Sequence, residues 1–186
     1  MTTPKAEPAT EPLRSSVLVR SDREHVYDVF VREIGHWWPT RPLSLGGGRV
    51  TAVTVEPRLG GRVYEVWRDG TEVDWGEILV WEPPERFAMT WEPTALTADP
   101  EDPADLPEEA PVRRVEGGAV TEVELRFQEL GPALTRVEVE HRGWERLSHE
   151  LACAYPPGYA AGWHMLLTRL AAHATGAPLP PPPPAD

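Results

Sequence analysis

The sequence predicts an α+β fold: a strongly twisted sheet of six to seven strands crossed by one long C-terminal helix, with two short helical pieces after the first strand. Three observations lead there. Gly76–Trp91 holds two apolar, aromatic runs flanking Pro83-Pro84, and neither proline can donate to a sheet ladder, so it reads as strand, tight connection, strand. Similar runs recur on either side, separated by Gly- and Pro-containing breaks. Tyr159–Thr175 then switches to a helical period.

In chain order, Leu13–Arg20 reads as the first strand. Ser21 and Glu24 have the spacing of a capping box, and Val26, Phe30 and Ile34 follow one turn apart. This predicts a helix of about three turns that stops before Gly35. His36–Pro39 is a short turn or second helical piece. Strands are predicted over Thr51–Glu56, Arg62–Trp67, Glu72–Trp81, Arg86–Trp91, Thr121–Leu130 and Leu134–His141, with Gly70 and Gly131 at hairpin turns. Ile78 and Val80 alternate with Leu79 and Trp81, which suits a strand covered on both faces. In the last helix Trp163, Leu166, Leu167, Leu170, Ala171 and Ala174 form an apolar stripe closed by Gly176. One helix cannot fill the concavity of such a sheet, so a cavity between the two is expected.

The chain has 186 residues, enough for one domain with a real core, predicted over 13–176. Met1–Pro12 and the five-proline stretch in Ala177–Asp186 read as disordered tails, and Pro93–Gly118 as an acidic, Pro-rich loop insertion without a helix or strand of any length. The net charge of -12 is concentrated there: eight carboxylates against Arg113 and Arg114 lie between Glu92 and Glu116, a net of -6. The rest of the chain has no basic patch, which argues against nucleic acid as a partner and against an anionic membrane surface. No apolar run reaches about 18 residues and Met1–Pro12 has no signal-peptide pattern, so a cytoplasmic protein without membrane insertion is expected. The preference for arginine over lysine fits a GC-rich bacterial genome.

Several chemistries lack their residues. Lys5 is the single lysine and Cys153 the single cysteine, which leaves no basis for Schiff-base chemistry, an internal disulfide or a cysteine-based zinc site. Phosphate-binding loops, dinucleotide fingerprints and nucleophile elbows are missing, so no cofactor is expected; Gly46-Gly47-Gly48 alone is too weak a phosphate signal. His36, His141, His149, His164 and His173 show neither HxxxH nor HExxH spacing, and no metal site is expected.

What remains is aromatic. Eight tryptophans are many for this length, each with up to ~200 Å² to bury. They suit either a packed core or the walls of a pocket for a flat apolar molecule. Trp37, Trp38, Trp67, Trp75, Trp91 and Trp163 are the candidate ligand-binding indoles. Alternation puts His141 on the face of Val137 and Val139, inward, where it is either a satisfied core residue or a candidate catalytic acid-base group. Glu77 alternates with Trp75, and Glu65 with Val63 and Trp67. Each carboxylate either faces the cavity, as a hydrogen-bond anchor or partner for His141, or belongs to a solvated face.

Four segments, Pro57–Arg62, Gly76–Trp91, Thr135–Trp144 and Gly162–His173, together resemble the helix-grip superfamily of START-like proteins and polyketide cyclases (SRPBCC), in particular the branch homologous to the activator of heat-shock protein 90 ATPase. The resemblance spans Leu13–Thr175. It implies an antiparallel sheet curled around the C-terminal helix with a hydrophobic cavity between them. It does not imply a reaction. Three readings follow: a protein binding a small apolar or aromatic molecule, a cyclase- or dehydratase-like enzyme using His141 with Glu65 or Glu77, and a chaperone-associated interaction module.

Overall fold

The computed structural model describes residues 11–96, 112–114 and 119–181; most of the expected N-terminal tail, half of the expected C-terminal tail and most of the acidic loop lie outside these residues. Strand β1 (Leu13–Val19) leads into three short helices, α1 (Arg23–Arg32), α2 (Ile34–Trp37) and α3 (Thr40–Leu43), the last broken by extended backbone at Arg41. Then come β2 (Val50–Val55), β3 (Arg62–Trp67), β4 (Glu72–Glu82), β5 (Arg86–Trp91) and a small ribbon of β6 (Thr94–Leu96) with β7 (Val112–Arg114). Strands β8 (Thr121–Gly131) and β9 (Leu134–Arg142) and the long helix α4 (His149–Ala174) complete the chain. Seven of the strands form one antiparallel sheet in the order β1-β9-β8-β5-β4-β3-β2, curled around α1 and α4 in the helix-grip arrangement.

Alternation builds the concave face. Val123, Leu125 and Phe127 of β8 sit opposite His141, Val139 and Val137 of β9, and all six are buried. The intervening outer positions are charged. Glu124 there is buried, yet Arg86, Arg126 and Arg142 donate to it at 2.8–3.0 Å. Burial alone would raise its pKa, but the hydrogen bonds from Arg142, Arg86 and Arg126 outweigh that and hold it down to about 2.

Local details differ from the sequence reading at three places. Asp22, not Ser21, caps α1, accepting from the His25 N–H at 2.9 Å. Helical turns continue past Gly35 to Trp37, after a break at Glu33. Helix α4 begins at His149, ten residues before the expected start at Tyr159, behind the Ser148 cap, and carries Pro156 and Pro157 inside it. Those prolines cannot donate, so they remove ladder bonds without ending the helix. The far end matches expectation: Gly176 has φ 71° and donates to His173 O.

Strand β4 bends the sheet. It is bulged against β3 near Trp75 and against β5 near Leu79. At the bend Gly76 passes so close to β5 that a Cβ would lie 1.9 Å from Thr90 O, and Glu77 N–H is bonded to Thr90 Oγ1 at 2.8 Å. No described helix is long and apolar enough to cross a membrane.

Candidate functional site

Four indoles meet where the sheet faces α4. Trp38 follows α2, Trp75 comes from β4, Trp91 from the end of β5 and Trp163 from α4. Ring centroids lie 4.8 Å apart for Trp38–Trp75, 6.2 Å for Trp75–Trp91 and 5.8 Å for Trp91–Trp163. With Phe30, Val63 and neighbouring apolar side chains they enclose a cavity of only about 20 Å³. The expected cavity is therefore present but nearly closed, because indoles occupy the concavity that one helix leaves open. Trp38 is 6% exposed, and its buried Nε1–H has no hydrogen-bond partner among the described residues. Trp75 and Trp91 also line a second small notch of about 20 Å³, shared with Leu43, Leu45, Asp74 and Arg114, so these two rings stand between the inner space and the surface.

His141 lies behind Trp91 and Trp163, fully buried. Trp163 Nε1–H donates to its Nδ1 at 3.1 Å, and its Nε2 is 2.8 Å from Thr121 Oγ1, which itself donates to Trp91 O at 2.9 Å. An indole can only donate, so Nδ1 accepts and the ring proton sits on Nε2, donating to Thr121. The chain of donors is complete with a neutral ring. A proton on Nδ1 would face the indole N–H head-on. Burial accordingly pushes the His141 pKa down to about 3.

Glu65 is another buried polar group, at 0% exposure. Its carboxylate accepts four N–H groups: Gly46 and Trp67 on one oxygen, both at 2.6 Å, and Leu45 at 3.2 Å with Trp75 at 2.8 Å on the other. All four donors are neutral, and Arg49 lies over the Trp67 ring at 3.8 Å, one indole removed from the carboxylate. Gly46 must be glycine here, because a Cβ would lie 2.3 Å from Trp67 Nε1. The glycine run thus wraps a side-chain carboxylate of the protein itself. Through Trp75, Glu65 fixes one wall of the cavity.

Of the predicted site residues, the structure brings together Trp38, Trp75, Trp91, Trp163 and, behind them, His141. Trp37 lies behind Trp38, outside the cavity lining, bonded to Val29 O at 3.2 Å, and Trp67 belongs to the Glu65 cage. Glu77 is exposed, away from the cavity: the bulges of β4 break the alternation with Trp75, so that Trp75 and Ile78 both point inward. Tyr159 had no signal in the sequence, yet its hydroxyl accepts from Trp91 Nε1 at 3.2 Å and Thr94 N at 3.1 Å, tying α4 to the end of β5. A second group outside the sequence reading is Glu33, His36 and His173, whose ligand atoms lie within 4.8 Å of one another. Their signal was faint, an E-x-x-H pair at Glu33 and His36 with the third member 137 residues on. A surface depression of about 480 Å³ lies apart from all of these. It is walled by charged side chains, Arg23, Arg86, Arg126 and Glu85 among them.

A sequence model of the family described as Activator of Hsp90 ATPase homolog 1-like protein matches residues 20–175. No curated protein matches the chain. Among solved structures the chain is similar to an anthrahydroquino-gamma-pyrone synthase, Txn09, complexed with SUM, at 29% identity and a TM-score of 0.51, over 91% of this chain and 98% of that one. It shares its fold with CalC, a self-sacrificing resistance protein from Micromonospora echinospora, at 22% identity and a TM-score of 0.57, over 90% of this chain and 96% of that one. The same holds for NE0264 from Nitrosomonas europaea, at 14% identity and a TM-score of 0.58, over 90% and 96% of the two chains.

Proposed function

The chain belongs to the Activator of Hsp90 ATPase homolog 1-like family, and we propose that this member binds a flat, largely apolar molecule with a hydrogen-bond acceptor, held between the sheet and α4. The observation that carries this reading is the ring of indoles around an apolar space, one of which, Trp38, has a buried N–H without a partner among the described residues. A buried donor left unmet costs about 1–3 kcal/mol, which a ligand carbonyl would recover. Aromatic walls supply the area and one polar group the orientation. With about 20 Å³ free, binding requires the walls to part. Trp91 is the ring expected to move. It is bonded to a neutral hydroxyl at 3.2 Å, whereas Trp75 is held by a carboxylate at 2.8 Å.

The test uses emodin, a planar hydroxyanthraquinone, as probe. Saturable one-to-one quenching of tryptophan emission is expected. Trp38→Phe keeps an aromatic ring and loses the donor, so affinity should fall at least about 5-fold, while removal of the unmet donor offsets the stability lost with the smaller ring. Absence of saturable quenching, or equal affinity in the variant, rejects the reading.

Catalysis in the same space is the second reading, supported by the 29% identity to a synthase. It needs a proton carrier, and His141 would have to leave Thr121 or Trp163 when substrate binds. His141→Asn separates the two: loss of turnover with binding retained favours the enzyme.

A further inference from the structure

We propose a second, independent site: a divalent transition-metal site, best suited to Zn²⁺, formed by Glu33, His36 and His173 where the α1–α2 junction meets the last turn of α4. Two of the donors already touch, His173 Nε2 lying 2.7 Å from Glu33 Oε2. The His36 and His173 rings are 5.9 Å apart, and one ligand atom from each of the three residues falls within 4.8 Å of the others. A tetrahedral zinc with bonds of about 2.0–2.1 Å spaces its ligand atoms about 3.3 Å apart. The Glu33–His173 contact would open by about half an ångström and His36 would close in. His36 is exposed and has the freedom to do so.

Two imidazoles and one carboxylate select for zinc and its neighbours over Mg²⁺ or Ca²⁺, which take mostly oxygen. Three protein donors leave a fourth position for water, facing solvent on the side of His36. The nearby cations are engaged elsewhere. Arg32 pairs with Asp28, and Arg169 donates to the carbonyls of Trp37 and Pro180. The C-terminal end of α4, with its carbonyl dipoles, also favours positive charge. Bound metal would staple the segment carrying Trp38 to the helix carrying Trp163, two walls of the aromatic space.

The experiment is calorimetric titration of the tag-free, chelator-treated full chain with ZnCl₂, alongside Co²⁺ for its visible ligand-field bands. One site is expected, with Co²⁺ giving tetrahedral-type absorption. Losing a ligand should weaken binding by at least the ~10–100-fold that losing an outer-shell partner costs. That is the result expected for both His36→Ala and His173→Ala. Because His36 is exposed, its variant keeps the fold even if the His173 variant does not. No saturable binding overturns the proposal. So does binding that is unchanged in His36→Ala, as would be seen if the His149–Cys153 pair, 3.8 Å apart, were the true ligand set.

Discussion

His141 enters the folded state as a neutral ring, whereas the unfolded chain protonates it near pH 6.5. Its folded pKa is depressed to about 3, so its stabilising contribution is complete above pH 6.5 and is lost as the pH falls toward 3. Between pH 6.5 and 5 this amounts to about 2 kcal/mol, before Glu124, whose own loss lies below its ordinary 4.5, begins to contribute. Urea unfolding at pH 7 and pH 5 should show this loss in the wild type and its near absence in His141→Asn; parallel losses would exclude His141 as the source. Glu65 gives a second residue-level prediction. Glu65→Gln turns one acceptor into a donor facing N–H groups and should cost about 3 kcal/mol in chemical denaturation. The inward direction of His141 was legible in the sequence because alternation holds along β9. The Glu65 cage was not, because its donors come from a loop about twenty residues earlier and a strand ten residues later.

At the scale of elements, the strands were legible because each hairpin break carries a Gly or Pro whose backbone chemistry is local. The start of α4 was not: Pro156-Pro157 signals a stop, and the preceding turns rest on the Ser148 cap and on Ala152, buried against Trp144 and Leu147. The placement of Glu77 failed for a related reason, since bulges are set by the partner strand and leave little trace in the strand's own pattern. The bend of β4 depends on one missing methyl. Gly76→Ala should cost about 2–3 kcal/mol, because the obstruction is the Thr90 backbone, which cannot step aside. A denaturation midpoint equal to wild type would show that the sheet can straighten there.

For the whole molecule, closure and binding are opposed. Val63 is 1% exposed, and Val63→Ile places one more methylene beside the inner cavity of about 20 Å³. It should stabilise the protein by about 0.5–1 kcal/mol, roughly 2 °C in thermal midpoint. The same change should weaken emodin at least about tenfold, the pattern of a site maintained at some expense of stability. A variant that is both more stable and equally good at binding would place the ligand elsewhere. The aromatic wall has an optical consequence as well. Trp37, Trp38, Trp75, Trp91 and Trp163 form an unbroken chain of contacts of 4.8 to 6.2 Å, five of the eight indoles. At such spacing excitation hops from ring to ring faster than it is emitted. The five should therefore depolarise and decay as one chromophore, and an acceptor lodged beside Trp38 should darken all of them together.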